Sequence, residues 1–295
     1  MVRRIESKTS RTAEFTCMIR FQSYLEKRER YKSDDFISPV IMNAVMKHLF
    51  KLLPVQSYFL KNIYAPGMYE YVVSRTKFID GEMKKALESG AEQVLIFGAG
   101  FDSRGIRFRD LAKKAAVFEL DAPLTQKAKI DRYREKGIEI PANLVFIPID
   151  FDRESIPEKL AEYGFQKGRK TLFILEGLTM YLQPESVDAT FKILEEVSTE
   201  GSRVMFDHIY ASVVRQENLY EGEKELYEGV LKRNEKFCFG IEKGSINEFL
   251  NRYGFKAEQV LDSAGLEELY FRDEQGNRTA RVNGTHCLVT AVRKA

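Results

Sequence analysis

One stretch, residues 94–104, constrains the fold of this chain more than any other. It consists of Val-Leu-Ile-Phe followed by Gly-Ala-Gly-Phe-Asp-Ser-Arg. Four consecutive apolar residues are typical of a strand that is buried on both faces of a parallel sheet. The two glycines that follow, Gly98 and Gly100, allow a tight turn in which backbone can approach a ligand closely. Because a helical pattern comes next, the sequence predicts that strand, loop and helix open a cofactor crevice.

The glycine loop differs from the fingerprint of dinucleotide-binding folds. That fingerprint has a third Gly or Ala three residues after the second Gly, where this chain has Ser103. The loop also carries Asp102, and a carboxylate beside the turn is a poor neighbour for a pyrophosphate. Such a loop suits a cofactor with a cationic part. Two alternatives remain open: a nicotinamide-dependent dehydrogenase, and a turn that binds no ligand.

From Val94 onward, strand and helix patterns alternate. The predicted strands are Val94–Phe97, Ala116–Leu120, Leu144–Ile147, Thr171–Leu175, Arg203–Asp207, Ala257–Leu261 and Thr285–Val292. Helices are expected to begin near Arg104, Pro123, Ser155 and Pro184, and a last one spans Ser245–Tyr253. This alternation predicts an α/β fold with a mostly parallel seven-stranded sheet, helices on both faces and a closing antiparallel hairpin.

The chain is expected to divide into an N-terminal helical cap, residues 1–90, and an α/β domain, residues 91–295. The cap shows no strand alternation, and its predicted helices are Thr12–Arg30, Pro39–Leu53 (stopped by Pro54) and Met68–Ser89. Within the α/β domain, residues 209–240 interrupt the alternation with a helical pattern rich in Tyr and Glu. We expect these residues, called the lid below, to cover the ligand-binding edge of the sheet.

Composition excludes several classes of protein. There are 46 basic and 44 acidic residues, so charge favours neither nucleic acid nor a membrane as a partner. No apolar run is long enough to cross a bilayer, and we identify no signal peptide. Three widely spaced cysteines fit a reducing compartment, which makes the cytoplasm the expected location. Three histidines without metal-ligand spacing predict no metal site, and no pattern indicates an oligomeric state.

Acidic residues follow several predicted strands at what should be one edge of the sheet. Asp121 comes about twenty residues after the glycine loop, where an acid accepts hydrogen bonds from ribose hydroxyls; capping the helix at Pro123 is the alternative. Asp150 can accept from an adenine amino group while Phe151 packs on the ring; an aspartate that only forms a turn is the alternative. Glu176 follows a buried run and must be paired, either with a cofactor cation or with a loop arginine.

Two arginines can bind a carboxylate. Arg75 lies on the helix before the first strand, and its guanidinium offers a planar set of donors; Arg20 is a second candidate. For both, an arginine on the protein surface is the alternative, and the family resemblance below favours the carboxylate. Acids for a ribose, an adenine and a cation, together with an arginine for a carboxylate, describe S-adenosylmethionine.

With these residues, the sequence resembles the leucine carboxyl methyltransferase family, and within it the bacterial enzymes similar to the tetracenomycin polyketide O-methyltransferase. The resemblance covers residues 10–292 and rests on four strings and one acid: Arg75-Thr76 with Ile79-Asp80, residues 98–104, Phe118-Glu119-Leu120-Asp121-Ala122-Pro123, Asp150, and Glu176-Gly177-Leu178-Thr179-Met180-Tyr181-Leu182.

The resemblance implies a Rossmann-like class I methyltransferase fold, S-adenosylmethionine as the methyl donor, S-adenosylhomocysteine as the product, and an oxygen acceptor. It implies that Arg75, with Arg20, holds the methionine carboxylate and that Glu176 meets the methionyl end. The remaining implied contacts are the backbone of Gly98, Ala99 and Gly100 along the cofactor, Asp121 at the ribose, and Asp150 with Phe151 at the adenine. Members that methylate a phosphatase C-terminus carry Glu-Cys where this chain has Glu176-Gly177, which favours a small-molecule acceptor.

The acceptor decides which catalytic residues are needed. A carboxylate is ionised at neutral pH and needs no base, whereas a hydroxyl benefits from one. By position, the catalytic candidates are His208 at the end of the fifth strand and Tyr181. The alternative for His208 is a hydrogen-bonded structural histidine, and the alternative for Tyr181 is packing. The expected function is an S-adenosylmethionine-dependent O-methyltransferase acting on a carboxylate or hydroxyl of a small molecule. Three competing hypotheses are a protein C-terminal carboxyl methyltransferase, an RNA methyltransferase and a non-catalytic S-adenosylmethionine-binding protein.

Overall fold

A single seven-stranded sheet organises the molecule. The computed structural model describes residues 10–42, 44–151, 153–232 and 235–294. The strands are β1 (Gln93–Phe97), β2 (Ala116–Asp121), β3 (Leu144–Pro148), β4 (Thr171–Leu175), β5 (Arg203–Ile209), β6 (Phe255–Leu261) and β7 (His286–Arg293). Their order across the sheet is β3-β2-β1-β4-β5-β7-β6. β7 runs antiparallel to both of its neighbours, β5 and β6, and the other described strand pairs are parallel. The predicted mostly parallel sheet with a closing antiparallel hairpin is therefore confirmed.

The described helices surround this sheet. They are α1 (Arg11–Leu25), α2 (Ser38–Ile41), α3 (Ala44–Leu49), α4 (Leu53–Asn62), α5 (Met68–Glu88), α6 (Arg104–Arg107), α7 (Pro123–Glu135), α8 (Ile156–Glu162), α9 (Pro184–Val197), α10 (Ala211–Val214), α11 (Glu223–Lys232), α12 (Ile246–Asn251) and α13 (Ser263–Tyr270). None of the helices in the described ranges is long and apolar enough to cross a membrane.

Helices cover both faces of the sheet because the strands are apolar on both sides. Successive residues of β1 point to opposite faces. Ile96 belongs to a buried cluster that includes Met83 of α5, and Phe97 belongs to a second cluster that includes Phe191 of α9. The two clusters are the two halves of the core, with the sheet between them.

The strand order reverses between β1 and β4, and this reversal determines where a ligand can bind. From β1 the sheet continues through β2 to β3 on one side and through β4 to β5 on the other. The loops after β1 and β4 therefore leave the sheet in opposite directions and open a crevice at the carboxyl ends of these strands. The glycine loop after β1 and Glu176 after β4 both lie at this crevice.

The first predicted helix was too long. The structure ends α1 at Leu25 rather than Arg30, because the backbone N–H groups of both Glu26 and Ser33 donate to the carbonyl of Ser23. The Ser23 hydroxyl also donates to the carbonyl of Tyr31, at 2.5 Å. These bonds fold the chain back on the helix end, and a continued helix would have to break them.

The prediction of one helix over Pro39–Leu53 was wrong. The segment holds two short helices, α2 and α3, and Pro54 does not stop a helix but lies in the first turn of α4. A proline in the first turn costs no intrahelical hydrogen bond, since the N–H groups there have no partner within the helix. A proline is therefore compatible with the end of one helix or the start of the next, and the sequence did not distinguish these two cases. Helices α4 and α13 were not predicted.

Residues 209–240, the predicted lid, are only partly helical. Of the residues described there, α10 and α11 account for two short stretches, and irregular chain joins them. The long helix before the first strand is confirmed to within one residue, since α5 ends at Glu88. The division into a cap and an α/β domain stays a prediction.

Candidate functional site

The glycine loop adopts a conformation that only glycine tolerates easily. Gly98 has φ +58° and Gly100 has φ +49°, both in the left-handed region that side chains disfavour. A Cβ on Gly100 would lie 2.8 Å from the Cβ of Ala13, and one on Gly98 would lie 3.1 Å from a methyl carbon of Leu178. The loop is therefore packed tightly beneath α1 and the chain that follows β4.

Helix α1 is fastened over this loop by several hydrogen bonds. The Arg20 guanidinium donates to the carbonyl of Phe101 at 2.6 Å and to the carboxylate of Asp35 at 2.9 Å. Near the start of the helix, Thr12 donates to Glu235 in the lid. Arg20 thus lies at the site, as the sequence suggested, but here it binds the loop itself. Its role toward a ligand carboxylate stays a prediction.

Asp121 lies beside the loop, as expected. One of its carboxylate oxygens accepts from the backbone N–H of Gly100, and the other accepts from that of Ala122 at 2.6 Å. Burial raises its pKa. The alternative that Asp121 caps the next helix is wrong, because the residue at that position is Ala122. The backbone of Ala99, which donates to the carbonyl of Leu120 at 3.0 Å, continues the ladder between β1 and β2.

Asp150 and Phe151 follow β3 at the same edge. The carbonyl of Asp150 accepts from the backbone N–H groups of Arg153 and Glu154, which closes a turn, and its own N–H donates to the Glu154 carboxylate at 2.8 Å. Phe151 is half-buried against the core. Both residues are placed where the strand-end argument expects them, and their roles toward an adenine stay predictions.

Glu176 bridges two guanidinium groups. One carboxylate oxygen accepts from Nε of Arg75 at 3.0 Å, and the other accepts from Nη1 of Arg104 at 2.6 Å. All three side chains are buried or nearly so. Glu176 is therefore paired with a loop arginine, Arg104, which was the alternative to a cofactor cation. It is also paired with Arg75, the arginine expected to bind a carboxylate.

Asp207, at the end of β5, completes this arrangement. It is fully buried and accepts hydrogen bonds from Nη1 of Arg75 at 2.7 Å, from the hydroxyl of Tyr71 at 2.7 Å and from the backbone N–H of Gly177 at 2.6 Å. Burial alone would raise the pKa of Asp207, but the Arg75 guanidinium and these donors hold it below its usual value. Asp207 fixes Arg75 in the site.

Arg104 is the most buried guanidinium here. Its Nε donates to Asp80 at 2.8 Å, and its Nη1 donates to Asp102 and Glu176. Asp102 also accepts from the Arg104 backbone N–H at 2.7 Å. Burial alone would raise the pKa of Asp102, but Arg104 together with Lys129 and Arg20 holds it below its usual value. The cation beside Asp102 is thus the neighbouring arginine, and a cofactor contact of Asp102 stays a prediction.

One atom of Arg104 has no partner. Its Nη2 is buried and forms no hydrogen bond with any described residue. Buried N–H donors without an acceptor are rare because they lose their hydration without compensation. A ligand that brings an acceptor to this atom, as a cofactor with a carboxylate would, is compatible with the residues present.

The catalytic candidates lie in different surroundings. Nδ1 of His208 is 2.9 Å from the carbonyl of Ile209, and its Nε2 is buried without a partner in the described part of the chain. Burial lowers the pKa of His208 to about 4. Because neighbouring strand residues face opposite sides, His208 points away from the face on which Asp207 meets Arg75. Tyr181 is half-buried, with its ring centroid 5.6 Å from that of Phe237; the catalytic role of each stays a prediction.

The chain has a match among known protein families. The family model described as leucine carboxyl methyltransferase matches residues 16–195, more than half of the chain. The chain belongs to the leucine carboxyl methyltransferase family. Its relatives are described as S-adenosyl-L-methionine-dependent methyltransferases. The chain is accordingly an S-adenosylmethionine-dependent methyltransferase, and its cofactor is the one that the strand ends predicted.

Individual relatives carry matching descriptions. YktD of Bacillus subtilis, named as a candidate S-adenosyl-L-methionine-dependent methyltransferase, is 26% identical over 70% of this chain and 68% of its own length. A protein of the same description from Mycolicibacterium paratuberculosis is 30% identical over 67% of each chain. A third, from Mycobacterium avium, is 35% identical but aligns over only 43% of its own length. The alignments thus leave about a third or more of each relative uncovered.

A solved structure shows how far the fold extends. A DUF574 family protein from Streptomyces avermitilis superimposes with a TM-score of 0.63 at 12% identity, covering 99% of this chain and 100% of that one. The two chains therefore share one fold over nearly their whole lengths. The strand order together with the family match confirms the Rossmann-like class I methyltransferase fold that the resemblance implied.

Three residues of the site were not assigned a role from the sequence of this methyltransferase: Asp80, Arg104 and Asp207. A signal was present for each. Asp80 and Arg104 lie inside the strings that carried the resemblance, and Asp207 is an acid at the end of a predicted strand. What the sequence did not show is that they belong to one chain of contacts: Asp80 binds Arg104, Glu176 binds both Arg104 and Arg75, and Arg75 binds Asp207.

Proposed function

We propose that the protein transfers the methyl group of S-adenosylmethionine to an oxygen of a small molecule, and that this oxygen belongs to a carboxylate. Membership of the family supports the transfer. The neutral state of the two buried histidines, His208 and His286, supports the carboxylate.

The cofactor-binding residues of this proposal are those at the strand ends. Arg75 holds the methionine carboxylate, with Arg20 nearby, and the backbone of residues 98–100 lies along the cofactor. Asp121 accepts from the ribose hydroxyls, and Glu176 faces the methionyl ammonium. Asp150 and Phe151 border the adenine, and Asp102 adds negative charge near the cationic sulfur. The support for these roles is their position around the β1–β4 crevice.

When bound, the donor supplies a methyl group already activated by a positively charged sulfur. The chain's own contribution is to align the acceptor and to exclude water. Helix α1, fastened by Arg20 and Thr12, covers the glycine loop, and the tight contact between Ala13 and Gly100 leaves no room for solvent between them. Tyr181 and His208 are proposed to border the acceptor.

The choice between carboxylate and hydroxyl depends on the base that the chain can offer. Burial lowers the pKa of His208 to about 4 and that of His286 to about 3, so both rings are neutral and weakly basic at pH 7. Moving a proton from a phenol with a pKa near 10 to such a ring costs on the order of 8 kcal/mol. A carboxylate is already ionised and avoids this cost.

Gly177 supports a small molecule rather than a protein terminus. It stands where the members that methylate a phosphatase C-terminus carry Cys. Its φ is +61°, and a Cβ there would lie 3.3 Å from Nη1 of Arg75. The chain after β4 is thus shaped around glycine in this protein.

The test is methyl transfer from S-adenosylmethionine labelled in its methyl group to panels of carboxylic acids, phenols and peptides with free C-termini. A methyl ester releases labelled methanol in mild base, whereas a methyl ether does not. We expect base-labile label on small carboxylic acids, lost in Glu176→Gln and kept in Glu196→Gln, an exposed carboxylate on α9.

Different outcomes overturn parts of the proposal. Base-stable label would establish a hydroxyl acceptor, and label confined to peptides would establish protein carboxyl methylation. Tight binding of S-adenosylhomocysteine without transfer to any acceptor in the three panels would favour a binding protein.

A further inference from the structure

The buried arginines around the crevice differ in how completely their donors are used. Nε, Nη1 and Nη2 of Arg107 all have acceptors, in Ser103 and Asp80. Arg104 is equally buried, yet its Nη2 has no acceptor among the described residues. Both guanidiniums bind the same carboxylate, Asp80, so the missing acceptor distinguishes two neighbouring arginines.

The orphaned donor lies beside the residue expected to meet the methionyl end. Glu176 accepts from Arg104 through one oxygen and from Arg75 through the other. The two guanidiniums therefore flank a single carboxylate at the end of β4. A ligand group that contacts Arg75 beside Glu176 therefore lies close to Arg104 as well.

We propose that Nη2 of Arg104 donates a hydrogen bond to the carboxylate of the methyl donor, alongside Arg75. This inference rests on the proposed placement of the methionyl part at Glu176. The methionine carboxylate is the donor's one anionic group, and a charged acceptor compensates a buried guanidinium N–H best. The ribose acceptors belong to the opposite side of the crevice, at Asp121.

The arrangement is rigid before any ligand arrives. Asp80 and Asp102 hold the remaining nitrogens of Arg104, so the guanidinium loses little freedom when it binds. Glu176, between the two arginines, would then face the ammonium group of the same amino acid. Carboxylate and ammonium of the donor are each met by opposite charge.

The experiment measures ligand binding and needs no acceptor. Calorimetry gives Kd for S-adenosylhomocysteine and for its decarboxylated analogue, in the wild type and in Arg104→Lys. The ratio of the two constants reports what the carboxylate contributes. Loss of one charge-assisted hydrogen bond should shrink this ratio by about tenfold or more in Arg104→Lys. Arg107→Lys, equally buried but with its donors all used, should change both constants alike and leave the ratio at its wild-type value.

An unchanged ratio in Arg104→Lys, with both ligands weakened equally, would overturn the proposal and leave Arg104 a purely structural role. If Arg104→Lys does not fold, Arg75→Lys decides: part of the preference for the carboxylate must survive there, and its complete loss would refute a contribution from Arg104. Failure of the wild type to bind S-adenosylhomocysteine at all would instead refute the placement of the donor, and failure of methyl transfer alone would leave this inference untouched.

Discussion

Replacing Asp207 by Asn tests the buried charge network directly. One carboxylate oxygen of Asp207 accepts from both Arg75 and Tyr71, and the other accepts from the backbone N–H of Gly177. Asn can keep the bond to Gly177 with its carbonyl oxygen. Its amide then points an N–H toward two other donors, and Arg75 retains only Glu176 as a charged partner.

Removing one partner of a buried ion pair costs about 3–5 kcal/mol. Because Asn preserves one of the three bonds, we expect Asp207→Asn to lower the free energy of unfolding by about 3 kcal/mol at pH 7. That corresponds to a fall in Tm of roughly 6 °C for a chain of this size. Tyr71→Phe removes a single hydrogen bond from the same carboxylate and should cost only about 1 kcal/mol.

The assay is urea denaturation of both variants at several pH values. The lowered pKa of Asp207 means that its ionised form stabilises the fold above the unfolded-state pKa of about 4, and that this contribution is lost as pH falls below it. The difference between wild type and Asp207→Asn should therefore be largest near pH 7 and shrink below pH 4. A difference under about 0.5 kcal/mol at pH 7, the size of a neutral surface change, would refute the argument.

Three further changes have defined outcomes. Gly100→Ala should lower the free energy of unfolding by about 1–2 kcal/mol because of its left-handed φ, and by more because a Cβ there meets Ala13 of α1. Urea denaturation should show a smaller loss for Gly137→Ala, where φ is also positive but no atom lies within 4 Å of the added Cβ; equal losses would contradict the contact. Lys129→Met removes the buried partner of Glu119, whose pKa burial already raises to about 7. Since a raised pKa means stability is lost as pH rises, the unfolding free energy of Lys129→Met should fall further below wild type at pH 8 than at pH 6, and a constant difference would argue against it. His208→Gln should leave the pH profile of methyl transfer to a carboxylic acid flat between pH 6 and 8; a limb with an apparent pKa of 6–7 in the wild type that disappears in this variant would show that the imidazole acts as a base.

The sheet could be predicted from sequence because its signals are local. Apolar runs such as Val94–Phe97 and Thr171–Leu175 match the observed strands to within a residue, and an acid or glycine follows each. Parallel strands buried on both faces leave little choice of arrangement. The cap was predicted less well, because Pro54 is compatible with the end of one helix and with the start of the next.

The site was predictable only as far as position along the chain determines position in space. Strand-end residues such as Asp121 and Glu176 could be assigned to one edge because the carboxyl ends of parallel strands coincide there. The partners of Arg75 could not, since Glu176 and Asp207 are 101 and 132 residues away in sequence. Which acid pairs with which arginine depends on how α5 packs across the sheet, and no local pattern encodes that.

The pairing also explains why the two arginines differ in what they can offer a ligand. Arg75 is held by Asp207 from β5 and by Glu176 from β4, whereas Arg104 is held by Asp80 of α5 and by Asp102 of its own loop. The guanidiniums thus approach Glu176 from different elements, Arg75 from α5 and Arg104 from the start of α6, while Asp80 links Arg104 back to α5. Because Asp207 binds Arg75 and Asp102 binds Arg104, replacing one arginine leaves the other with an acid of its own, and the residual preference for the carboxylate in Arg75→Lys measures what Arg104 contributes.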